Sequence, residues 1–160
     1  MPLFDKILGK TKNENSPNNN SNINSITELI GFLDELLSSD KYIAKSDYLK
    51  KIESAKDIVN YFEQLKKDDL LTNFCKKNKI SSDKIYSAVE KYSDIKKLVT
   101  EHNKEFISRK LKSEKVYLDT VLKECDPNIL LDEDQRRVVL TDEDYCLVIA
   151  GAGAGKTTTV

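Results

Sequence analysis

The sequence predicts a mainly α-helical chain that passes, after Asn128, into the first helix, strand and loop of a truncated α/β domain. Two observations lead to this prediction. Apolar residues recur at helical spacing through residues 25–125. Residues 145–150, "YCLVIA", are instead a continuous run of strand formers, as in a strand that is buried on both faces of a parallel sheet.

The division of the chain follows changes in composition. Residues 11–24 are half asparagine and contain almost nothing apolar to offset the entropy of an ordered backbone. Pro127 closes the helical region, since proline has no amide hydrogen and disfavours a helical residue before it. We therefore predict three parts: a flexible tail rich in asparagine and serine over residues 1–24, a helical accessory region over 25–128, and an incomplete α/β domain over 129–160.

Amphipathic helices are predicted throughout the helical region. Ser25 and Glu28 have the spacing of a capping box, in which each side chain satisfies an amide of the first helical turn, and an apolar stripe follows directly. A second apolar stripe runs through residues 49–65. Residues 94–124 contain no glycine or proline, which predicts one long helix or two helices with a kink near Ser113.

The charge pattern argues against several functional classes. The chain has 26 basic and 27 acidic residues, and lysines alternate closely with acids, which predicts solvated helix faces rather than a nucleic-acid surface. No apolar run approaches the roughly 20 residues that span a bilayer. The first ten residues lack the apolar stretch and cleavage pattern of a signal peptide. We therefore expect an intracellular, cytoplasmic protein with no membrane partner.

The cysteines and the single histidine indicate no metal site. Cys75, Cys125 and Cys146 are odd in number and form no CxxC or Cys/His spacing. The expected state is a buried or half-buried free thiol, and neither a bound metal nor a cysteine nucleophile is proposed. His102 lies at helical spacing from apolar residues, which favours a position at a helix interface.

The segment with the clearest chemistry is residues 150–157, "AGAGAGKT". It matches the phosphate-binding pattern G-x-x-x-x-G-K-[ST] except for alanine at the first position. A loop that wraps a polyphosphate must bring its backbone amides within hydrogen-bonding distance of oxygen atoms. Gly151, Gly153 and Gly155 leave that approach open, because they carry no side chain to hold the backbone away.

The residues that follow the glycines suit a nucleoside triphosphate. Lys156 supplies a charge that bridges the β- and γ-phosphates, and Thr157 supplies a hydroxyl ligand for the Mg²⁺ bound to them. We therefore expect Lys156 and Thr157 to be the catalytic residues, with Thr157 as the metal ligand through the nucleotide. The predicted nucleotide-binding residues of the loop are Ala150, Gly151, Ala152, Gly153, Ala154, Gly155, Lys156, Thr157 and Thr158. The alternative is that residues 150–157 form a glycine-rich tight turn. We favour the phosphate-binding loop, because a strand is predicted directly before it.

Residues 131–160, "LDEDQRRVVLTDEDYCLVIAGAGAGKTTTV", resemble the start of the UvrD/Rep type of superfamily 1 DNA helicases, and most resemble the helicase IV-like branch. Alanine at the first loop position is normal in that family, and Ala154 replaces its commonest serine. The resemblance implies a RecA-like P-loop NTPase fold and ATP as the nucleotide. It also assigns Gln135 to the glutamine that contacts adenine, a role that suits an amide because adenine presents N6 and N7 side by side.

The resemblance implies an ATP-dependent DNA helicase, of which this chain would be the N-terminal part. Hydrolysis needs an acidic pair and arginines that later sequence supplies in the family, so we expect the chain alone to be inactive as an ATPase. The expected partner, single-stranded DNA or a duplex junction, would be bound through other parts of the enzyme. Two alternatives stay open: a non-helicase P-loop ATPase of DNA repair or defence, and a helical partner-binding module.

Overall fold

The computed structural model describes residues 17–125, 128 and 130–149, and all regular structure in these ranges is helical. The eight helices of this part of the chain are α1 Pro17–Ser38, α2 Lys45–Ser54, α3 Lys56–Lys67, α4 Leu71–Asn78, α5 Ser82–Ser93, α6 Ile95–Ser113, α7 Lys115–Cys125 and α8 Glu133–Leu140. None of these helices has the length and apolar character needed to cross a membrane.

The prediction of an α/β region after the helices is wrong for the residues that the structure describes. Residues 145–149, the described part of "YCLVIA", form no strand. Tyr145, Leu147 and Ile149 are 94%, 84% and 87% exposed, the opposite of a doubly buried strand. A central strand needs neighbouring strands to satisfy its backbone and to cover its faces, and the described residues contain none. Residues 145–149 therefore have the side-chain types that are common in strands, but no described strand pairs with them.

The core lies between α1, α3, α5 and α6, with α2 and α4 closing its sides. Every third or fourth residue of these helices is apolar, so one stripe of each faces the interior. Burial of each large side chain stabilises the fold by about 1.5–3 kcal/mol. The largest fully buried side chains are Phe62, Ile26, Leu29, Leu33 and Ile85. Phe62 packs edge-to-face on Tyr61 and Phe74, which joins α3 to α4.

The helix boundaries agree with the sequence pattern in one place and differ in two. Of the two alternatives for residues 94–124, the structure shows two helices, because α6 ends at Ser113 and α7 begins at Lys115. The stripe over residues 49–65 is divided between α2 and α3, which meet at Ala55. Helix α1 already begins at Pro17, so Ser25 lies within it and is not its N-cap. The division of the chain into three parts stays a prediction.

Candidate nucleotide-binding site

Gln135 lies in the first turn of α8, where it takes part in a capping box. Asp132 is the N-cap residue, and its Oδ1 accepts a hydrogen bond of 2.8 Å from the amide of Gln135. In return the amide of Asp132 donates to Gln135 Oε1 at 2.9 Å. The two bonds satisfy two amides that have no partner within the helix. Asp132 and Gln135 have the D-x-x-Q spacing of this motif, so the cap itself was recognisable in the sequence.

The capping box fixes the orientation of the Gln135 side-chain amide, which is half-buried. The bond from Asp132 uses one of the two lone pairs of Oε1. A side chain held in one rotamer loses less conformational entropy when it meets a ligand. The arrangement is therefore compatible with contact to a base, although capping already explains a glutamine at this position.

Arg136, the next residue, attaches α8 to the helical region. Its guanidinium is buried, with Nε donating to the carbonyl oxygen of Leu131 at 3.0 Å and Nη1 to that of Lys115 at 3.4 Å. Nη2 lies 2.6 Å from Asp119 Oδ1 on α7, an ion pair with side chains 7% and 22% exposed. This oxygen is buried and has no hydrogen bond of standard geometry within the described residues. Loss of one partner of a buried pair leaves an uncompensated charge, so the pair ties α8 to α7.

The acidic segment before the predicted strand is attached to α2. Glu143 Oε1 accepts from the amide of Lys45 at 3.0 Å, and Asp144 Oδ2 accepts from the amide of Ser46 at 2.7 Å. The Ser46 hydroxyl donates to Asp144 Oδ1 at 2.5 Å. Carboxylates suit this place because the first turn of a helix has unpaired amides and a partial positive charge. The start of α2 is thus capped by residues that lie 98 positions later in the chain.

Asn103 on α6 holds the turn that leads into α2. Its Oδ1 accepts from the amide of Ile43 at 2.9 Å, and its Nδ2 donates to the carbonyl oxygen of the same residue at 2.9 Å. Ile43 and Asn103 are both buried, so the side chain takes the place of water for the N–H of one peptide unit and the C=O of the next. His102 lies beside it on α6, with Nε2 2.8 Å from the carbonyl oxygen of Lys41.

Two tyrosines lie beside the Glu143 contact. Burial, and then the negative charge of Glu143, raises the pKa of the Tyr42 phenol above its ordinary value of 10.0, while a hydrogen bond with Asn103 acts in the opposite direction. The same two causes raise the pKa of Tyr48. Both phenols are therefore neutral at physiological pH.

Cys75 and Cys146, the two cysteines whose side chains the structure describes, differ in exposure. Cys75 is buried as a free thiol, as expected, and burial raises its pKa. Cys146 is exposed, so the expectation of a buried or half-buried thiol is wrong for this residue. It follows the acidic segment that caps α2, in the stretch where the neighbouring apolar side chains are exposed too.

The structure places only one of the predicted site residues. Gln135 is described, whereas residues 150–158, with Lys156 and Thr157, lie outside the described residues. Arg136, Glu143 and Asp144 attach the segment that precedes the loop, and sequence reasoning did not single them out. An arginine or a pair of acids near a loop carries no local signal of burial or capping, because the partners are distant in the chain.

No family model, curated protein or solved structure matches the chain.

Proposed function

We propose that this chain carries ATP-binding elements of an ATP-dependent DNA helicase similar to the UvrD/Rep type, acting on DNA in the cytoplasm. One sequence observation carries the proposal: residues 150–157 match a phosphate-binding loop, and Gln135 precedes that loop by 15 positions. The helicase assignment rests on the resemblance of residues 131–160. In the proposed enzyme, ATP supplies the free energy for movement along DNA.

Each residue of the loop has a role in this proposal. The amides of Gly151, Gly153 and Gly155 would approach the phosphate oxygens, and Lys156 would neutralise part of their charge. The hydroxyl of Thr157 would be a ligand of the Mg²⁺ that accompanies the nucleotide. Acidic residues and arginines outside this motif would complete the hydrolytic site.

Gln135 would contact the adenine base. Its amide pairs an acceptor with a donor, and the cap on Asp132 holds that amide in one orientation. The proposal therefore gives the side chain two roles, capping α8 and selecting adenine. A variant that still caps α8 but cannot donate a hydrogen bond to adenine distinguishes the two roles.

Gln135→Glu is that variant, because glutamate at this position also accepts from an N-cap amide but has no NH₂ group to donate. We expect the ratio of ATP affinity to GTP affinity to fall about three- to tenfold, the value of one hydrogen bond. The free energy of unfolding should change by less than about 0.5 kcal/mol. Titrations with fluorescent ATP and GTP analogues in the presence of Mg²⁺ measure the ratio, and urea denaturation measures stability.

Gln64→Glu is the matched control, since it adds the same charge at an exposed position on α3. It should leave the ATP to GTP ratio unchanged. An unchanged ratio in Gln135→Glu, with ATP still bound, would contradict the adenine contact. Failure of the unaltered chain to bind ATP at all would contradict the proposed function.

A further inference from the structure

An open cleft of about 590 Å³ lies between α2, α6 and α8. Volumes of about 300–1,000 Å³ are usual for pockets that hold small molecules, so the cleft has room for one such ligand. Gln135, the described residue of the proposed ATP site, is not among the residues that line it. The cleft is therefore a separate candidate site within the part of the chain that the structure describes.

Buried apolar and aromatic side chains form part of the cleft wall. Ile43, in the turn before α2, is 2% exposed, and Val99 of α6 is 6% exposed. The ring of Tyr48 is buried and that of Tyr42 half-buried. Burial and the charge of Glu143 raise the pKa of both phenols, so they stay neutral and do not repel an anion. An apolar ring would thus find both aliphatic and aromatic surface to pack against.

Lys96 and Lys104 lie on the side of α6 that borders the cleft. They are eight residues apart, which turns the second about 80° from the first around the helix and moves it about 12 Å along the axis. Thr100 lies between them and also lines the cleft. Both lysines are exposed, and the ion pairs among the described residues include neither of them nor Lys45 at the start of α2. Three ammonium groups at the cleft thus lack a carboxylate partner.

The other charged residues of the lining are already engaged. Arg137 of α8 pairs with Glu133 in its own helix. Glu143 is the one acid in the described lining, and its carboxylate accepts from the amides of Lys45 and Asp144 at 3.0 and 3.2 Å. The unpaired lysines therefore give the cleft a positive character, which the balanced composition of 26 basic and 27 acidic residues does not reveal.

We propose that the cleft between α2, α6 and α8 binds a small aromatic molecule with an anionic group, such as an aromatic carboxylate. The ring packs against the apolar wall and the tyrosines, and the anionic group meets Lys96 or Lys104. An exposed ion pair alone contributes little, so the ligand needs both parts, the ring and the charge. The proposal rests on the cleft alone and does not depend on ATP binding.

Two fluorescent probes with the same kind of ring system test the proposal: anilinonaphthalene sulfonate, which is an anion, and phenylnaphthylamine, which is uncharged. Fluorescence titrations compare the unaltered 160-residue chain with the double variant Lys96→Gln, Lys104→Gln. We expect the affinity for the sulfonate to fall about fivefold or more in low salt, because two charged partners are lost. The affinity for the uncharged probe should change by less than about twofold, because the apolar wall is intact.

A second double variant, Lys50→Gln, Lys77→Gln, is the control for charge. It removes the same charge from exposed positions on α2 and α4. The affinity for either probe should then change by less than about twofold, because only long-range attraction is altered. Equal weakening of sulfonate binding in the two double variants would overturn the proposal. Equal weakening of both probes in Lys96→Gln, Lys104→Gln would overturn the assignment of an anionic ligand.

Thr100→Trp tests the location of the site, because the larger side chain would occupy the cleft. Thr27→Trp on α1 is its control: both threonines are exposed, and each hydroxyl donates to the carbonyl oxygen four residues earlier, at 2.7 Å for Thr100 and 2.8 Å for Thr27. Both probes should bind about tenfold or more weakly to Thr100→Trp, because the tryptophan excludes them from the wall. Thr27→Trp should bind them as the unaltered chain does. Unchanged binding in Thr100→Trp, or no saturable binding of the sulfonate to the unaltered chain, would overturn the proposal.

Discussion

At the scale of single residues, Asn103 shows how one side chain can determine the path of a loop. It pairs with both the amide and the carbonyl group of Ile43, which is 2% exposed. An extended strand would normally supply such a pair of bonds, and here a side chain on α6 does so. The turn before α2 therefore depends on a residue 60 positions away.

Replacement of this residue should be costly. In Asn103→Ala the two buried polar groups of Ile43 lose their partners, and each unsatisfied group costs about 1–3 kcal/mol. We expect the free energy of unfolding to fall by about 3 kcal/mol in urea denaturation. Glu101→Ala is the control on the same helix, since Glu101 is exposed and should change stability by less than about 0.5 kcal/mol. Similar losses in the two variants would contradict the assigned role of Asn103.

Arg136 illustrates what residue identity alone does not reveal. The sequence shows two adjacent arginines, Arg136 and Arg137, in one short helix. The first is buried against α7, while the second forms an exposed pair with Glu133 in the adjacent turn of α8. Only the packing of α8 on the neighbouring helices distinguishes them. An exposed pair within one helix contributes a few tenths of a kcal/mol, whereas breaking a buried pair costs about 3–5 kcal/mol.

At the scale of elements, α2 and α8 are capped in different ways. The cap of α8 is local, because Asp132 and Gln135 are three residues apart and satisfy one another's amides. The start of α2 combines a local bond, from the amide of Ala44 to Asp47, with the distant acids Glu143 and Asp144. The first arrangement can be predicted from sequence spacing, and the second cannot.

The distant cap gives a prediction with a close control. Asp144→Ala removes the acceptor for the amide and the hydroxyl of Ser46, and the loss of such a cap typically costs about 1 kcal/mol. Asp142→Ala removes the same charge two residues earlier, at an exposed position. We expect urea denaturation to show a loss of stability only for Asp144→Ala. A loss of equal size for Asp142→Ala would mean that net charge, and not the cap, is responsible.

At the scale of the whole molecule, hydrophobic periodicity predicted the helices well and the final segment badly. The break between α6 and α7 falls near Ser113, which agrees with one of the two alternatives for residues 94–124, since the period of an amphipathic helix is visible in its own sequence. Ala55 separates α2 from α3 without any glycine or proline to mark the boundary. Residues 145–149 have the composition of a strand, but a strand forms only beside a partner strand. Composition alone therefore gave a wrong prediction for this segment.

The candidate site was predictable only in its local features. The spacing of Asp132 and Gln135 indicates a cap, and the glycines with Lys156 indicate a phosphate-binding loop. The attachment of this segment through Arg136, Glu143 and Asp144 depends on distant helices. Each of these features appears only when residues far apart in the chain are brought together.

The central claim is that the loop ending in Lys156 and Thr157 binds ATP, and calorimetric titration with ATP and Mg²⁺ tests it most directly. We predict saturable binding of one ATP per chain, weakened about tenfold or more in Lys156→Ala, because a hydrogen bond to a charged group contributes about 1.5–3 kcal/mol. Lys77→Ala, an exposed lysine on α4, should bind as the unaltered chain does. Absence of binding, or equal affinity in Lys156→Ala and the unaltered chain, would contradict the account.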